Sequence, residues 1–120
     1  MNYERGDVVT VPFPFVTISG TQQKARPALI ISAHSIPRRF DDVILLGITS
    51  KRIDDIQATE YLIEDGTSEF IASGLVKSSV VRGEYVMTVP RQLIARKLGH
   101  LPKMIMDDID KILKKSLGLK

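Results

Sequence analysis

Short apolar runs separated by polar turns occupy the chain up to Pro90, and a single helical stripe follows them. Val8–Phe13 is apolar and rich in β-branched residues, which predicts a strand. Pro12 and Pro14 restrict it to a short or edge position, because proline donates no ladder hydrogen bond. Phe15–Arg26 carries Gly20 among Thr, Ser and Gln without periodicity and reads as a loop of about a dozen residues, long enough to carry a function. Pro27–Ser32 and Val43–Thr49 are nearly continuous apolar runs, the pattern of strands buried on both faces, with the polar Ser35–Asp42 connecting them. Thr59–Ile63 reads as a further strand closed by the turn Glu64-Asp65-Gly66-Thr67. Ser73-Gly74 marks another turn, and Leu75–Val81 and Glu84–Val89 supply two more β-leaning stretches around Gly83.

From Pro102 the period changes. Met104, Ile105, Ile109, Ile112, Leu113 and Leu117 recur at helical spacing and predict one apolar stripe on a helix. Asp107, Asp108 and Asp110 precede Lys111, Lys114 and Lys115, so acid-to-base pairs support the helix, the late cations complement its dipole, and Gly118 ends it. A shorter helix is expected over Arg91–Leu98. Five or six short strands followed by a terminal helix predict a mostly β, α+β fold: a small, strongly bent sheet or barrel with the helix packed on one side. With 120 residues and no Pro/Gly/Ser-rich divider, the expectation is one domain over residues 1–120.

Composition changes this picture only by exclusion. The chain has no cysteine, which removes disulfides, thiolate metal sites and cysteine nucleophiles. No charged and apolar leader opens it, and the longest apolar runs fall far short of the roughly 20 residues that span a bilayer, so a cytoplasmic protein without membrane partners is expected. The net charge of +3 permits a polyanion partner, and the cations gather at Lys24-Ala25-Arg26, Arg38-Arg39 and Lys51-Arg52.

Candidate chemistry is sparse. There is no phosphate-binding glycine loop, and His34 and His100 are far apart with no evident partner, so neither a metal nor a nucleotide cofactor is expected. Arg82-Gly83-Glu84 is the more telling group. In extended backbone Arg82 and Glu84 would project from one face beside a glycine that admits a ligand, which suits a phosphate site; the same pattern also fits an ordinary surface ion pair. Arg26 precedes Pro27 at the mouth of a buried strand, as a phosphate grip or as a solvated loop cation. Thr49-Ser50-Lys51-Arg52 ends the most apolar strand with two hydroxyls and two cations, groups suited to phosphate and base-edge contacts and equally to a solvated turn. Arg5-Gly6-Asp7 is not read as a cell-adhesion tripeptide.

Taken in order, these pieces resemble the MazF/PemK/Kid family of toxin endoribonucleases across nearly the whole chain. The resemblance lies in Arg5-Gly6-Asp7-Val8-Val9, in Gly20 to Arg26-Pro27-Ala28-Leu29-Ile30-Ile31-Ser32, in Ile48-Thr49-Ser50, in Ser79-Val80-Val81-Arg82-Gly83-Glu84 and in Leu117-Gly118-Leu119. It implies a compact SH3-like barrel of the CcdB/Kid/MazF type, a homodimer, metal-independent cleavage of single-stranded RNA, and a cognate antitoxin that blocks the RNA groove. It also implies catalytic roles for Arg26, Thr49, Arg82 and Glu84, and RNA binding by Gln22, Gln23, Lys24, Ser50, Lys51, Arg52 and Ser79. Two departures stand out: Val86-Met87-Thr88 replaces a segment that carries an arginine in many members, and Gln22, Gln23 and Lys24 stand where the Kid branch has a histidine.

In metal-free RNA cleavage the 2′-hydroxyl attacks the adjacent phosphorus, so the site needs a proton acceptor, cations for the phosphoryl oxygens and a proton for the leaving oxygen. Glu84 is the natural base, Arg82 and Arg26 the charge clamp, and Thr49 a positioning hydroxyl. The competing functions are a non-enzymatic, CcdB-like inhibitor of DNA gyrase and a degenerate family member that only binds RNA or protein.

Overall fold

The computed structural model describes residues 2–17 and 20–120, with side chains described for 2–12 and 25–120. Its elements are β1 (Asp7–Thr17), β2 (Gly20–Ile30), β3 (Asp42–Thr49), β4 (Glu60–Ile63), α1 (Ser68–Ser73), β5 (Ser79–Pro90), β6 (Arg96–His100) and α2 (Lys103–Leu117). The six strands form one antiparallel sheet in the order β4-β5-β3-β2-β1-β6. The expected mostly β fold with a C-terminal helix is therefore the observed one.

The two central apolar runs do bury both faces. Val8, Leu29, Leu46, Ile48 and Val81 join Ile63, Met106 and Ile109 in one core beneath α2, whereas Val9, Ala28, Ile30, Leu45 and Val89 build a second core on the opposite face. Alternation along each strand assigns its residues to one core or the other, and burial of each large aliphatic side chain contributes on the order of 1.5–3 kcal/mol. Met106, Ile109 and Ile112 are the buried stripe of α2, and Gly118, with φ of 70°, caps it. Arg5 fixes the helix from the other side, through an ion pair with Asp110 and a 2.6 Å hydrogen bond to the Ile31 carbonyl.

Four sequence expectations are corrected. Phe15–Arg26 is not a loop: β1 and β2 pair continuously from Val8 opposite Leu29 to Thr17 opposite Gly20. A ladder satisfies backbone groups whatever the side chains, so polar residues without periodicity can still form a hairpin. Pro12 and Pro14 fit because β6 pairs with β1 only at Asp7–Thr10, which leaves them on an edge. The stretches flanking Gly83 are one strand, β5, bent by a bulge. Arg91–Leu98 is a single 3₁₀ turn, Arg91–Leu93, followed by β6, because Ala95 N–H donates to the Thr10 carbonyl and draws the chain into the sheet. Finally, Ser73-Gly74 ends a helix. The Thr67 hydroxyl caps the start of α1 by accepting from Phe70 N–H, and Gly74 closes it at φ 73°.

That short helix joins the two ends of the sheet. Following β4 at one edge, α1 packs on β6 at the other, and glycines make the approach close enough. A Cβ on Gly74 would lie 2.0 Å from the Leu98 carbonyl oxygen, and one on Gly99 would lie 2.1 Å from that of Ala72. The sheet is thereby held in a curl around the core under α2.

Candidate active site

Where β3 ends, the sheet opens on a cavity of about 460 Å³ lined by Thr49, Lys51, Arg52, Asp55, Gln57, Glu60 and Arg82. Each wall has a local cause. Ile48 and Val81 are buried and paired, which anchors Thr49 and Arg82 one residue beyond the core on adjacent strands. The Thr49 hydroxyl accepts from Lys51 N–H at 3.1 Å and starts a turn. Arg52 continues that turn at φ 59°, the positive-φ residue other than glycine among the described residues. Such backbone costs about 1 kcal/mol or more, and strained residues cluster at functional sites.

Glu60 stands opposite Arg82 in the β4–β5 ladder, with Arg82 Nε 3.5 Å from Glu60 Oε2. Its other oxygen accepts from Gln57 N–H at 2.9 Å, so the carboxylate is fixed at both ends. Arg52 pairs loosely with Asp55 at 3.6 Å. Three cations and two carboxylates thus face the cavity, a mixture that can bind a phosphate while offering a proton acceptor.

The structure brings together Thr49, Lys51, Arg52 and Arg82 from the sequence-derived set. Arg26 lies on β2, where continuing the register of Ala28 opposite Gly47 sets it across from Thr49, although it does not line the cavity. Glu84 is also outside the lining; it accepts from the Thr59 hydroxyl at 3.0 Å. Ser79 is buried and its hydroxyl donates to the Lys77 carbonyl, and Ser50 does not line the cavity. The side chains of Gln22, Gln23 and Lys24 lie outside the described residues.

Two readings of the Arg82-Gly83-Glu84 group change. The arginine and glutamate take different partners, because β5 bulges directly after Arg82. The room at Gly83 serves packing: a Cβ there would lie 2.5 Å from the Thr59 carbonyl oxygen and 2.6 Å from Ile112 Cγ2, so this glycine admits β4 and α2, not a ligand. Glu60, Asp55 and Gln57 were not anticipated. Their signal, acidic and amide residues before a short strand, says nothing without the register that brings Glu60 to Arg82. Met87, in the segment Val86-Met87-Thr88 where the resemblance expects an arginine, pairs with Leu45 and packs against the second core.

Both histidines have partners after all, on the Arg5-Gly6-Asp7 turn. His34 Nδ1 accepts from Arg5 N–H at 3.1 Å. Asp7 is 1% exposed and is held by Glu4 N–H at 2.9 Å, His100 Nδ1 at 2.7 Å and Lys97 Nζ at 3.3 Å. Burial pushes its carboxyl up, but these three donors outweigh burial and hold it below the ordinary carboxylate value. Glu4, Asp7 and His100 also form the cluster among the described residues that could hold a metal ion, and it shares no residue with the cavity. A larger hollow of about 700 Å³ beside Ser32–Asp42 holds Arg38, Arg39 and Arg91, but Asp42 and Asp41 pair with the first and last of these.

The class of fold is a small curled antiparallel sheet with a C-terminal helix packed on it, and at the end of β3 it carries a cleft of mixed charge, three cations beside two carboxylates. The chain belongs to the PemK-like, MazF-like toxin family of type II toxin-antitoxin systems, whose family model matches residues 4–117. It is similar to Endoribonuclease EndoA of Bacillus subtilis (strain 168), with 27% identity over 119 residues, covering 99% of this chain and 97% of that protein. Among solved structures, an endoribonuclease in complex with its cognate antitoxin from Mycobacterial species superposes with a TM-score of 0.72 at 23% identity, over 98% of this chain and 97% of the other. MazE-MazF from Deinococcus radiodurans superposes with a TM-score of 0.73 at 17% identity, over 100% and 99%.

Proposed function

We infer that this chain is an endoribonuclease toxin and that the cavity between β3, β4 and β5 is where it cuts. The observation that carries this reading is the convergence of Thr49, Lys51, Arg52 and Arg82 on one hollow beside a fixed carboxylate, in a chain of the toxin family and similar throughout its length to an endoribonuclease. The gyrase-inhibitor alternative has no counterpart among these relatives.

The substrate is single-stranded RNA, cut without a metal. The 2′-hydroxyl attacks the adjacent phosphorus, the bond to the 5′-oxygen breaks, and a cyclic phosphate is left on the 3′ side of the first fragment. Arg82, with Arg26 across from Thr49, offsets the charge developing on the phosphoryl oxygens, which is the work a metal does elsewhere. The Thr49 hydroxyl orients the phosphate. A carboxylate takes the 2′ proton: Glu84 is the residue suggested by the family motif, and Glu60 is the one lining the cavity. Arginine holds its proton too tightly to release it, so the leaving oxygen is protonated by Lys51 or by solvent. The family resemblance adds Ser50, Gln22, Gln23 and Lys24 to the RNA-binding residues, whereas Ser79, expected among them, is buried with its hydroxyl on the Lys77 carbonyl and is left out.

The active unit is a homodimer in the cytoplasm, silenced by a cognate antitoxin. Support for the antitoxin partner comes from the similar structures solved as toxin-antitoxin complexes. The test is incubation of the purified protein with a long single-stranded RNA in excess EDTA, beside Arg82→Ala, Glu84→Gln and Glu60→Gln. Discrete cuts that vanish in Arg82→Ala and in one glutamine variant are the expected result and identify the base. RNA left whole by the wild type would overturn the reading.

A further inference from the structure

We propose that Tyr85 is a stacking platform for one RNA base beside the cleaved bond and thereby helps set which sequences are cut. This inference deepens the nuclease reading and rests on it.

The ladder between β3 and β5 breaks at one place. From Leu46 to Ile48 β3 advances two residues, while β5 runs from Val86 back to Val81, so Gly83, Glu84 and Tyr85 stand out of register opposite Gly47. Bulges of this kind re-aim side chains and recur next to active sites. Here the bulge lays the Tyr85 side chain over Gly47: a Cβ on that glycine would lie 3.1 Å from the ring Cγ and 3.4 Å from Cδ1. One side of the ring therefore lies against the Gly47 backbone. Yet it is 46% exposed, unlike an aromatic residue that serves the core.

Alternation fixes its neighbours. Side chains two residues apart share a face, so the direction from Gly47 that meets the ring is the direction of Thr49, which lines the cavity. Ala28 pairs with Gly47, which puts Arg26 on the same face one step further along β2. Before the bulge, the pairing of Ile48 with Val81 carries Arg82 to the level of Gly47. Three side chains assigned to the phosphate thus surround the strand position that Tyr85 covers, at the spacing of about 5–8 Å that separates neighbours on a sheet face.

An exposed ring held beside a phosphate site has a natural ligand in a splayed nucleobase, because single-stranded RNA is recognised by stacking unpaired bases on aromatic side chains. Every base has a π-face, so the platform selects by stacking strength and by shape, not by a hydrogen-bond code.

The experiment maps the wild-type cut sites on a long RNA, then measures cleavage of a short RNA containing the mapped site by wild type, Tyr85→Phe, Tyr85→Leu and Tyr85→Ala. Tyr85→Phe should keep KM and the cut pattern. Tyr85→Leu and Tyr85→Ala should raise KM about tenfold or more, change kcat little, and relax base preference at one position beside the cut. A 2-aminopurine at that position should be quenched on binding to Tyr85→Phe and not to Tyr85→Leu. Unchanged KM and cut pattern in Tyr85→Leu would overturn the stacking role while leaving the nuclease intact; no cleavage by the wild type would overturn both.

Discussion

Arg82 Nε lies 3.5 Å from Glu60 Oε2, and the glutamate side chain is only 12% exposed while the arginine is 44% exposed. The glutamate therefore holds the guanidinium by its inner nitrogen, and on the proposed function the outer two face the phosphate. Glu60→Ala should let the arginine swing away and lower single-turnover cleavage about tenfold or more. Partial exposure limits the stability cost to roughly 1 kcal/mol. Equal cleavage rates in variant and wild type would show that Arg82 needs no such support.

Arg82→Lys keeps the charge and loses the fork. Because two parallel hydrogen bonds to a phosphate require the planar group, cleavage should still fall by about tenfold or more, with thermal stability nearly unchanged. The comparison is made at saturating RNA, so that a loss in kcat is separated from one in KM.

Asp7 links the chain start to β6, and its charge is part of the fold. Its folded carboxyl sits below the ordinary value of 3.8, so the stability it contributes is fully present above that pH and is lost as pH falls through the lowered value. Asp7→Asn, which leaves His100 and Lys97 without their anion, should cost about 2–3 kcal/mol at pH 7. In urea denaturation the gap to wild type should shrink below about pH 4. A gap that stays constant into acid would mean that packing around Asp7, not its charge, carries the effect.

Closure of the curl depends on Gly99. Gly99→Ala would bring a methyl within 2.1 Å of the Ala72 carbonyl oxygen, which is backbone and cannot swing aside. The expected cost is about 3 kcal/mol, read as a fall in the thermal midpoint of several degrees. Gly66→Ala is the control, since nothing lies within 4 Å of that position, although its φ of 96° adds a smaller strain cost.

What the amino-acid order revealed follows a physical divide. The strands of the central sheet and α2 were legible because burial imprints a period: Val43–Thr49 is apolar throughout, and Ile105, Ile109, Ile112 and Leu113 recur at helical spacing, although Met104 and Leu117, expected in the same stripe, are exposed and Met106 is buried instead. The β1–β2 hairpin, α1 and β6 were not, because each is held by a tertiary partner: β2 by β1, β6 by Thr10 and α1 by β6. The cleft divides in the same way. Thr49, Lys51 and Arg52 were visible as one contiguous turn, whereas the partnership of Glu60 with Arg82 depends on a strand register, and the seat of Tyr85 on Gly47 depends on a bulge that no local pattern announces.

Every residue lining the cleft lies at or before Arg82, yet the strand that completes the sheet runs from Arg96 to His100 and pairs with the beginning of the chain. During synthesis the cleft-lining residues all emerge first, while β1 waits for its second neighbour, still to be made. Contacts of such long sequence separation form late, since the chain between them must be ordered before they reward it. A chain halted after Pro90 would thus carry the full set of cleft residues without the strand that α1 must meet.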